Sequence, residues 1–233
     1  MTISAIIIYG GDFDKKLLEK AKKSVAWCDE VILINGVKGS FNDWRDEGLK
    51  KAKSDWVLYL DSDEEISTDL KDEIEEVIFY APKSAAFAIP RRNFIFNKEF
   101  KYSGQYPDYQ KRLFRKKYLK KWTGDVHEEP VFEGNLGYLK NPITHHKNMT
   151  LSQMVSKTNK WSEIEAKLMF EANHPQMNIF RFFSAALREF WLRFVVQVAF
   201  LDGKEGIIYS IYQIYSRLIS YSKLWEMQLK NKK

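Results

Sequence analysis

Two aspartates one residue apart, Asp61 and Asp63 on either side of Ser62, are the residues most able to do chemistry together. In extended backbone, residues i and i+2 point to the same side, so both carboxylates can face one ligand. Two neighbouring carboxylates repel, and a divalent cation relieves that repulsion. Mg²⁺ or Mn²⁺ takes one or two carboxylates and fills its shell with substrate phosphates. The chemistry to expect is metal-assisted departure of a phosphate or diphosphate, whose developing charge a cation stabilises. Acid-x-acid turns are also common in solvated loops, so their placement decides. Trp56 to Leu60 reads as a buried strand directly before the pair. Ser67 or Thr68 caps a helix directly after it, with Asp69 in the first turn. Ligands of open α/β sheets bind at the carboxyl ends of strands, which is where this order puts Asp61 and Asp63.

The elements that would position the pair follow from hydrophobic spacing. Ile3 to Tyr9 is a β-branched run closed by Gly10-Gly11, a buried strand and a turn. Asp14 to Ala26 carries Leu17, Leu18, Ala21 and Val25 at helical spacing. Val31 to Ile34 is a second strand, and Asn42 to Lys53 a helix with Trp44, Leu49 and Ala52 inward. Three strands alternating with helices predict an α/β layer with a mostly parallel sheet. From Ala85 to about Lys147, short alternating runs broken by Gly and Pro predict a mixed sheet with loops. Thr150 and Gln153 form a capping box that opens a helix to about Ala172, stopped by His174-Pro175.

The chain has 233 residues, 45% of them hydrophobic, enough for one sizeable core with an appended segment. Its net charge of +6 suits an anionic partner. The lone Cys28 allows no internal disulfide and reads as a small semi-buried residue. A reducing cytoplasmic compartment is consistent with that, and neither a signal peptide nor a spanning helix is expected.

The segment Lys50 to Glu65, with Asp61-Ser62-Asp63 inside it, resembles the donor-site segment of family 2 inverting glycosyltransferases, closest to the lipopolysaccharide-core type. Ala26-Trp27-Cys28-Asp29-Glu30-Val31 resembles that family's entry to the second strand. Trp44-Arg45-Asp46-Glu47-Gly48-Leu49 is similar to its Arg-Asn-x-Gly-Leu helix, with Asp46 in place of Asn. Tyr106 to Arg115, Val126-His127-Glu128 and Ile143 to Lys157 are similar to further blocks.

The resemblance implies a GT-A-like α/β fold and sugar transfer from a nucleotide-sugar donor with inversion. It implies that Asp61 and Asp63 hold Mn²⁺ or Mg²⁺ and the diphosphate, with His145 or His146 completing the metal site. Tyr9, Gly10, Arg45, Arg112 and Lys157 fall on the donor side by the same resemblance. Tyr106, Trp122 and His127 fall on the acceptor side. An inverting transfer needs one base for the acceptor hydroxyl, and Asp108 is favoured over Glu128. The implied acceptor is a glycan or lipid-linked saccharide of surface polysaccharide or lipopolysaccharide assembly. One departure is that Ile34 leads through Asn35 to Ser40 directly into the next helix. The family has a further helix and strand there, and its base-contacting Asp has no equivalent in this chain.

From Arg91 to Lys121 basic residues dominate, as for a phosphorylated or lipid-linked acceptor or anionic headgroups. No nucleic-acid motif accompanies them, so no nucleic acid is expected. Beyond Asn178, Arg181, Arg188, Glu189 and Arg193 fall in a polar arc about 140° wide. Phe183, Leu187, Phe190, Trp191, Phe194, Val195 and Val198 oppose it. That pattern suits a helix lying on the inner face of the cell membrane, or a face that packs in a homo-oligomer. The expected organisation is a catalytic domain over 1–149, a helix packing on it over 150–176, and amphipathic C-terminal helices over 177–233. Two other activities fit the same residues: a nucleotidyltransferase on a similar core, and a non-catalytic membrane protein that keeps the fold.

Overall fold

The computed structural model describes residues 1–10, 13–36, 39–80, 83–124, 128–147 and 150–231. They form two compact units, Met1–Asn93 with Pro107–His146, and Phe94–Tyr106 with Lys147–Lys233. The first unit opens with β1 (Ile3–Tyr9), α1 (Lys15–Ser24), β2 (Glu30–Asn35), α2 (Phe41–Lys51), β3 (Trp56–Asp61), β4 (Glu64–Glu65) and α3 (Thr68–Tyr80). β5 (Ser84–Ile95) runs on into the second unit, where Phe94 and Ile95 pair with β6 (Lys98–Glu99). The first unit resumes with β7 (Asp108–Arg115), β8 (Leu119–Thr123), β9 (Glu129–Phe132), β10 (Asn135–Tyr138) and β11 (Ile143–Lys147).

The sheet order is β2-β1-β3-β7-β5-β11-β4, with β10 beside β5. β1 is parallel to both β2 and β3, whereas β7 is antiparallel to β3 and β5. This is the α/β, GT-A-like architecture with a mixed sheet expected from the sequence. β1 is apolar at nearly every position because it is central and buried on both faces. On one face Ile3, Ala5 and Ile7 meet Leu18 and Ala21 of α1 and Leu70 and Ile74 of α3. On the other, Ile6 and Ile8 meet Trp44 and Leu49 of α2, with Tyr59 and Trp122. β2 ends the sheet, and Val31 and Leu33 on it stay exposed.

The caps follow sequence chemistry. Asp14 accepts from the amides of Lys16 and Leu17, and Ser40 and Asp43 form a reciprocal box. Of the two candidates before α3, Ser67 does the capping, with Oγ accepting from Leu70 N at 3.2 Å. α2 lies close enough to the sheet that a Cβ on Gly48 would sit 2.4 Å from Ile6 Cγ2. Ile6 is itself fully buried and cannot retreat. Gly48→Val is therefore expected to lower unfolding free energy by about 2–3 kcal/mol, read from urea denaturation.

Cys28 is buried, and burial, then Asp29 and Glu75, push its thiol up to about 12. It is an inert core residue.

In the second unit, α4 (Leu151–Glu171) opens on the Thr150–Gln153 box and α5 (Ile179–Trp191) on Asn178. A π-turn (Leu192–Val196) and a 3-10 turn (Ala199–Asp202) lead into α6 (Gly203–Lys230). α4 packs lengthwise on α6 through Met154, Thr158, Ser162 and Ala166, which recur every fourth residue. α4 thus falls in one unit with α5 and α6. Asp202 is buried and ties down Phe94–Tyr106, accepting from Lys101 N, Tyr102 N and Ser103 Oγ. Among the described residues, no helix is long and apolar enough to cross a membrane. The polar arc expected on α5 is split, because Glu189 and Arg193 turn inward and pair at 2.6 Å.

Candidate functional site

The backbone does not stay extended through Asp61-Ser62-Asp63. β3 ends at Asp61, the chain turns at Ser62-Asp63, and β4 begins at Glu64. The two carboxylates consequently go to different partners. Asp61 points to the α2 face of the sheet, where Arg112 Nη2 meets Oδ2 at 2.5 Å and Arg45 Nη2 meets Oδ1 at 3.4 Å. Asp63 lies toward β11, with Oδ2 3.5 Å from His145 Nε2.

Arg112 reaches Asp61 because of an irregularity in β7. Lys111 pairs with Ala88 and Leu113 with Phe87, so Arg112 is an extra residue in the ladder. Such a bulge re-aims a side chain. Arg112 is buried and also donates to Glu64 Oε1 at 2.8 Å. Glu64 is fully buried, accepts from the Asp61 amide at 3.0 Å, and lies 3.4 Å from Arg91 Nη1. Arg91 Nη2 continues to Asp108 Oδ2 at 2.6 Å. Asn93 Nδ2 donates to the same oxygen at 3.1 Å, and Gln110 donates to Oδ1 at 2.7 Å. The Asn93 carbonyl lies 2.6 Å from His145 Nδ1. A single polar chain therefore runs from Arg45 through Asp61, Arg112, Glu64, Arg91, Asp108 and Asn93 to His145 and Asp63.

The electrostatics follow from this pairing. Burial works to raise the Asp61 carboxyl, but Arg112 and then Arg45 overcome it and hold the group far below the usual carboxylate range. Burial would lower Arg112, and Asp61 and Glu64 instead raise it well above an ordinary guanidinium. Arg45 is lowered, burial outweighing Asp61. Asp108 is lowered, because Arg91 and the Asn93 and Gln110 amides outweigh its burial. Depressed carboxyls stabilise the fold fully above their unfolded values near 4. That stability is lost as pH falls through the lower folded values. Thermal midpoints should thus be flat with respect to Asp61 and Asp108 above about pH 5 and fall steeply below about pH 4, and Asp108→Asn should flatten part of the fall.

The implied metal can be tested against these groups. His145 Nδ1 faces a carbonyl oxygen, which sets it as the N–H donor and leaves the Nε2 lone pair toward Asp63. Asp63 keeps 40% of its side chain exposed. Among the described residues no three His, Cys, Asp or Glu side chains converge as a metal cage. Asp63 and His145 fit an open site whose shell substrate oxygens would complete. Asp61 is committed to two guanidiniums, so its geometry fits orientation of those arginines better than direct ligation. His146 is turned to Glu65, Nε2 to Oε1 at 2.9 Å.

Of the donor-side residues, Tyr9 and Gly10 stand at the carboxyl end of β1, one strand from Asp61. A Cβ on Gly10 would meet Gly36 O at 2.7 Å, so glycine is required for the ends of β1 and β2 to approach. Arg45 stacks 4.6 Å over Trp122, and its Nε and Nη1 have no hydrogen-bond partner among the described residues. Arg45, Gln110, Arg112, Trp122 and Glu128 line a cavity of about 160 Å³, which brings one base candidate beside two donor-side arginines. Trp122 is buried, with its ring 5.0 Å from Tyr59, as a wall of that cavity. His127 lies outside the described residues. Tyr106 and Lys157 belong to the second unit, both exposed, Lys157 on α4.

The basic stretch is not one anionic-ligand surface. Arg91 and Arg112 turn inward to carboxylates, Arg115 lies over the Trp56 ring, and Lys98 and Lys111 pair with Glu205 and Glu129. Glu64, Asn93 and Gln110 have no site role in the sequence reading, and Arg91 enters it only as one of the basic stretch. Period-2 spacing was the signal available: Arg91 and Asn93 share a face of β5, as Asp108 and Gln110 do on β7.

Residues 5–132 match the family model described as glycosyl transferase family 2. An uncharacterized glycosyltransferase of Rickettsia conorii is 26% identical over 190 residues, covering 77% of this chain and 67% of that one. Another, from Rickettsia bellii, is 25% identical over 259 residues, covering 97% and 87%. Among solved structures, residues 1–349 of Staphylococcus aureus TarS in complex with UDP-GlcNAc align with a TM-score of 0.45 at 13% identity, covering 97% of this chain and 89% of that one.

Proposed function

Since the chain belongs to glycosyl transferase family 2, we propose that it transfers a sugar from a nucleotide-sugar donor to an acceptor hydroxyl with inversion, assisted by Mn²⁺ or Mg²⁺ at Asp63 and His145. The observation that carries this is the Asn93 bridge. One buried amide bonds both His145, on the metal side, and Asp108, a candidate base. The leaving-group side and the attacking side of a displacement are thereby held one side chain apart.

In this reading the acceptor oxygen bonds to the anomeric carbon while the bond to the diphosphate oxygen breaks. The cation, when bound, neutralises charge growing on the diphosphate. Arg45, which lines the small cavity beside Glu128, adds a second positive group for the donor. Asp61 fixes Arg45 and Arg112 in place. Asp108 is ionised at neutral pH and takes the acceptor proton at Oδ1, whose only protein partner among the described residues is the neutral Gln110 amide. Glu128 is the competing base, at the Arg45 cavity. Tyr9 and Gly10 border the donor, and Trp122 walls the Arg45 cavity. The acceptor is a glycan or lipid-linked saccharide of cell-surface polysaccharide assembly, the class suggested by the lipopolysaccharide-core resemblance. The cytoplasm, at the inner membrane face, is the matching location.

The test is product analysis with a panel of nucleotide sugars and Mn²⁺, comparing Asp108→Asn with Glu128→Gln. Asp108→Asn should lower kcat by about 10²–10⁴-fold with a smaller change in KM, and Glu128→Gln by less than tenfold. The opposite ranking moves the base to Glu128. Absence of transfer from every donor, with nucleotide binding also undetectable, removes the glycosyl-transfer reading of this chain.

A further inference from the structure

The helix α5 is built inside out. On its wheel Phe180, Phe183, Leu187, Phe190, Trp191 and Phe194 fall within an arc of about 100°. In an ordinary surface helix that stripe would face the core. Here Phe180 is 82% exposed, Leu187 69% and Trp191 61%. The residues turned toward the rest of the second unit are Ala185, Glu189 and Arg193, with Phe182 reaching Trp225 of α6 at 6.0 Å between rings.

This orientation is fixed by specific contacts. Glu189 is buried and receives both Nε and Nη2 of Arg193, while Arg193 Nη1 donates to Gln197 at 3.1 Å. That pair lies within the helix; what seats the helix are contacts to α6, Phe182 against Trp225 and, just before α5, Met177 N donating to Gln228 Oε1 at 2.7 Å. The π-turn Leu192–Val196 adds a residue to the helical phase, so Val195 and Val196 stay outward, and exposed Phe200 and Leu201 follow. An apolar surface of this extent is covered in use.

The charges on α5 indicate what covers it. Its one acid, Glu189, is buried and paired, so the exposed charges on the helix are Arg181 and Arg188. Both lie on one border of the stripe, roughly 80–100° around the wheel from Phe180. Aromatic and aliphatic groups beside an arginine border complement the interface of an anionic bilayer, with apolar groups below the headgroups and guanidiniums at the phosphates. A protein partner would require matching acids opposite both arginines, which a second copy of this helix lacks on its exposed surface.

We propose that α5 and the turns after it, through Leu201, form a monotopic docking surface that inserts its apolar stripe into the interface of an anionic phospholipid bilayer. The stripe lies in the membrane plane with Arg181 and Arg188 at the phosphates.

The test is co-sedimentation of the full chain with vesicles of phosphatidylglycerol and phosphatidylcholine, and with phosphatidylcholine alone. Binding is expected to the mixed vesicles and to fall at least tenfold in Leu187→Glu/Trp191→Glu. Both positions are exposed, so the thermal midpoint in solution should stay unchanged. Arg181→Gln/Arg188→Gln should lower binding to the mixed vesicles and remove its salt dependence. It should leave the weaker binding to phosphatidylcholine in place. Equal binding by wild type and Leu187→Glu/Trp191→Glu overturns the proposal. So does a lack of vesicle binding, including the case where sedimentation equilibrium shows a dimer that the same pair of substitutions dissociates, which would assign the stripe to a second copy.

Discussion

Asp63→Ala is expected to lower metal-supported sugar transfer by roughly a thousandfold, about 4 kcal/mol of transition-state stabilisation. The size follows from what the carboxylate faces. Asp63 is the acid turned to the Nε2 of His145, whereas Asp61 is neutralised by Arg112 and Arg45. Its loss should leave the fold unchanged, since 40% of the side chain is exposed, its one side-chain approach to β11 among the described residues is the 3.5 Å one to His145, and the backbone bond from His146 N to Asp63 O at 2.8 Å is retained. Initial rates at increasing Mn²⁺ check this. The variant should need far more cation and never reach the wild-type rate. A variant with wild-type rate and cation dependence would mean that the diphosphate is managed elsewhere.

The second large effect concerns stability. Arg112→Leu should lower unfolding free energy by about 3–5 kcal/mol, because it removes the nearest guanidinium from a fully buried Glu64 and from Asp61, leaving Asp61 with Arg45 at 3.4 Å. Against a typical total of about 5–15 kcal/mol, that loss is visible in any urea titration. Among the described residues Glu64 retains only Arg91, at 3.4 Å, as a cationic partner. The double substitution Arg112→Leu/Glu64→Leu should recover part of the loss, since the uncompensated buried charge is then gone. If the double variant is no better than the single, the cost lies in packing around β7 and not in the stranded charge.

Local pattern carried much of the fold. The run Ile3 to Tyr9 reads as a buried strand, and Ser67 and Thr150 announce helices by their hydroxyls. What local pattern could not carry was the destination of charge. Arg45 and Arg112 are surface-type residues by composition, yet both are buried because a bulge and a helix bring them to one aspartate. The expectation that Asp61 and Asp63 share a ligand assumed extended backbone, and the turn at Ser62 removes that assumption. On α5 a hydrophobic stripe and a polar arc were legible, but not which one faces the protein. That is decided by contacts to α6, Phe182 with Trp225 and Met177 N with Gln228, which are tertiary facts.

The place of β2 at the end of the sheet has a consequence for the company this chain keeps. Among the described residues no strand lies along its outer side, and Val31 and Leu33 on it are exposed. A bare strand edge is a template for adding another strand. β2 runs parallel to β1 in full register, Ile8 opposite Ile34 and Tyr9 opposite Asn35. A segment laid along it would extend the sheet beside the carboxyl ends from which Tyr9 and Gly10 project. This margin, open to strand addition, is therefore also one where an inserted helix–strand unit extends the sheet without rewiring the core.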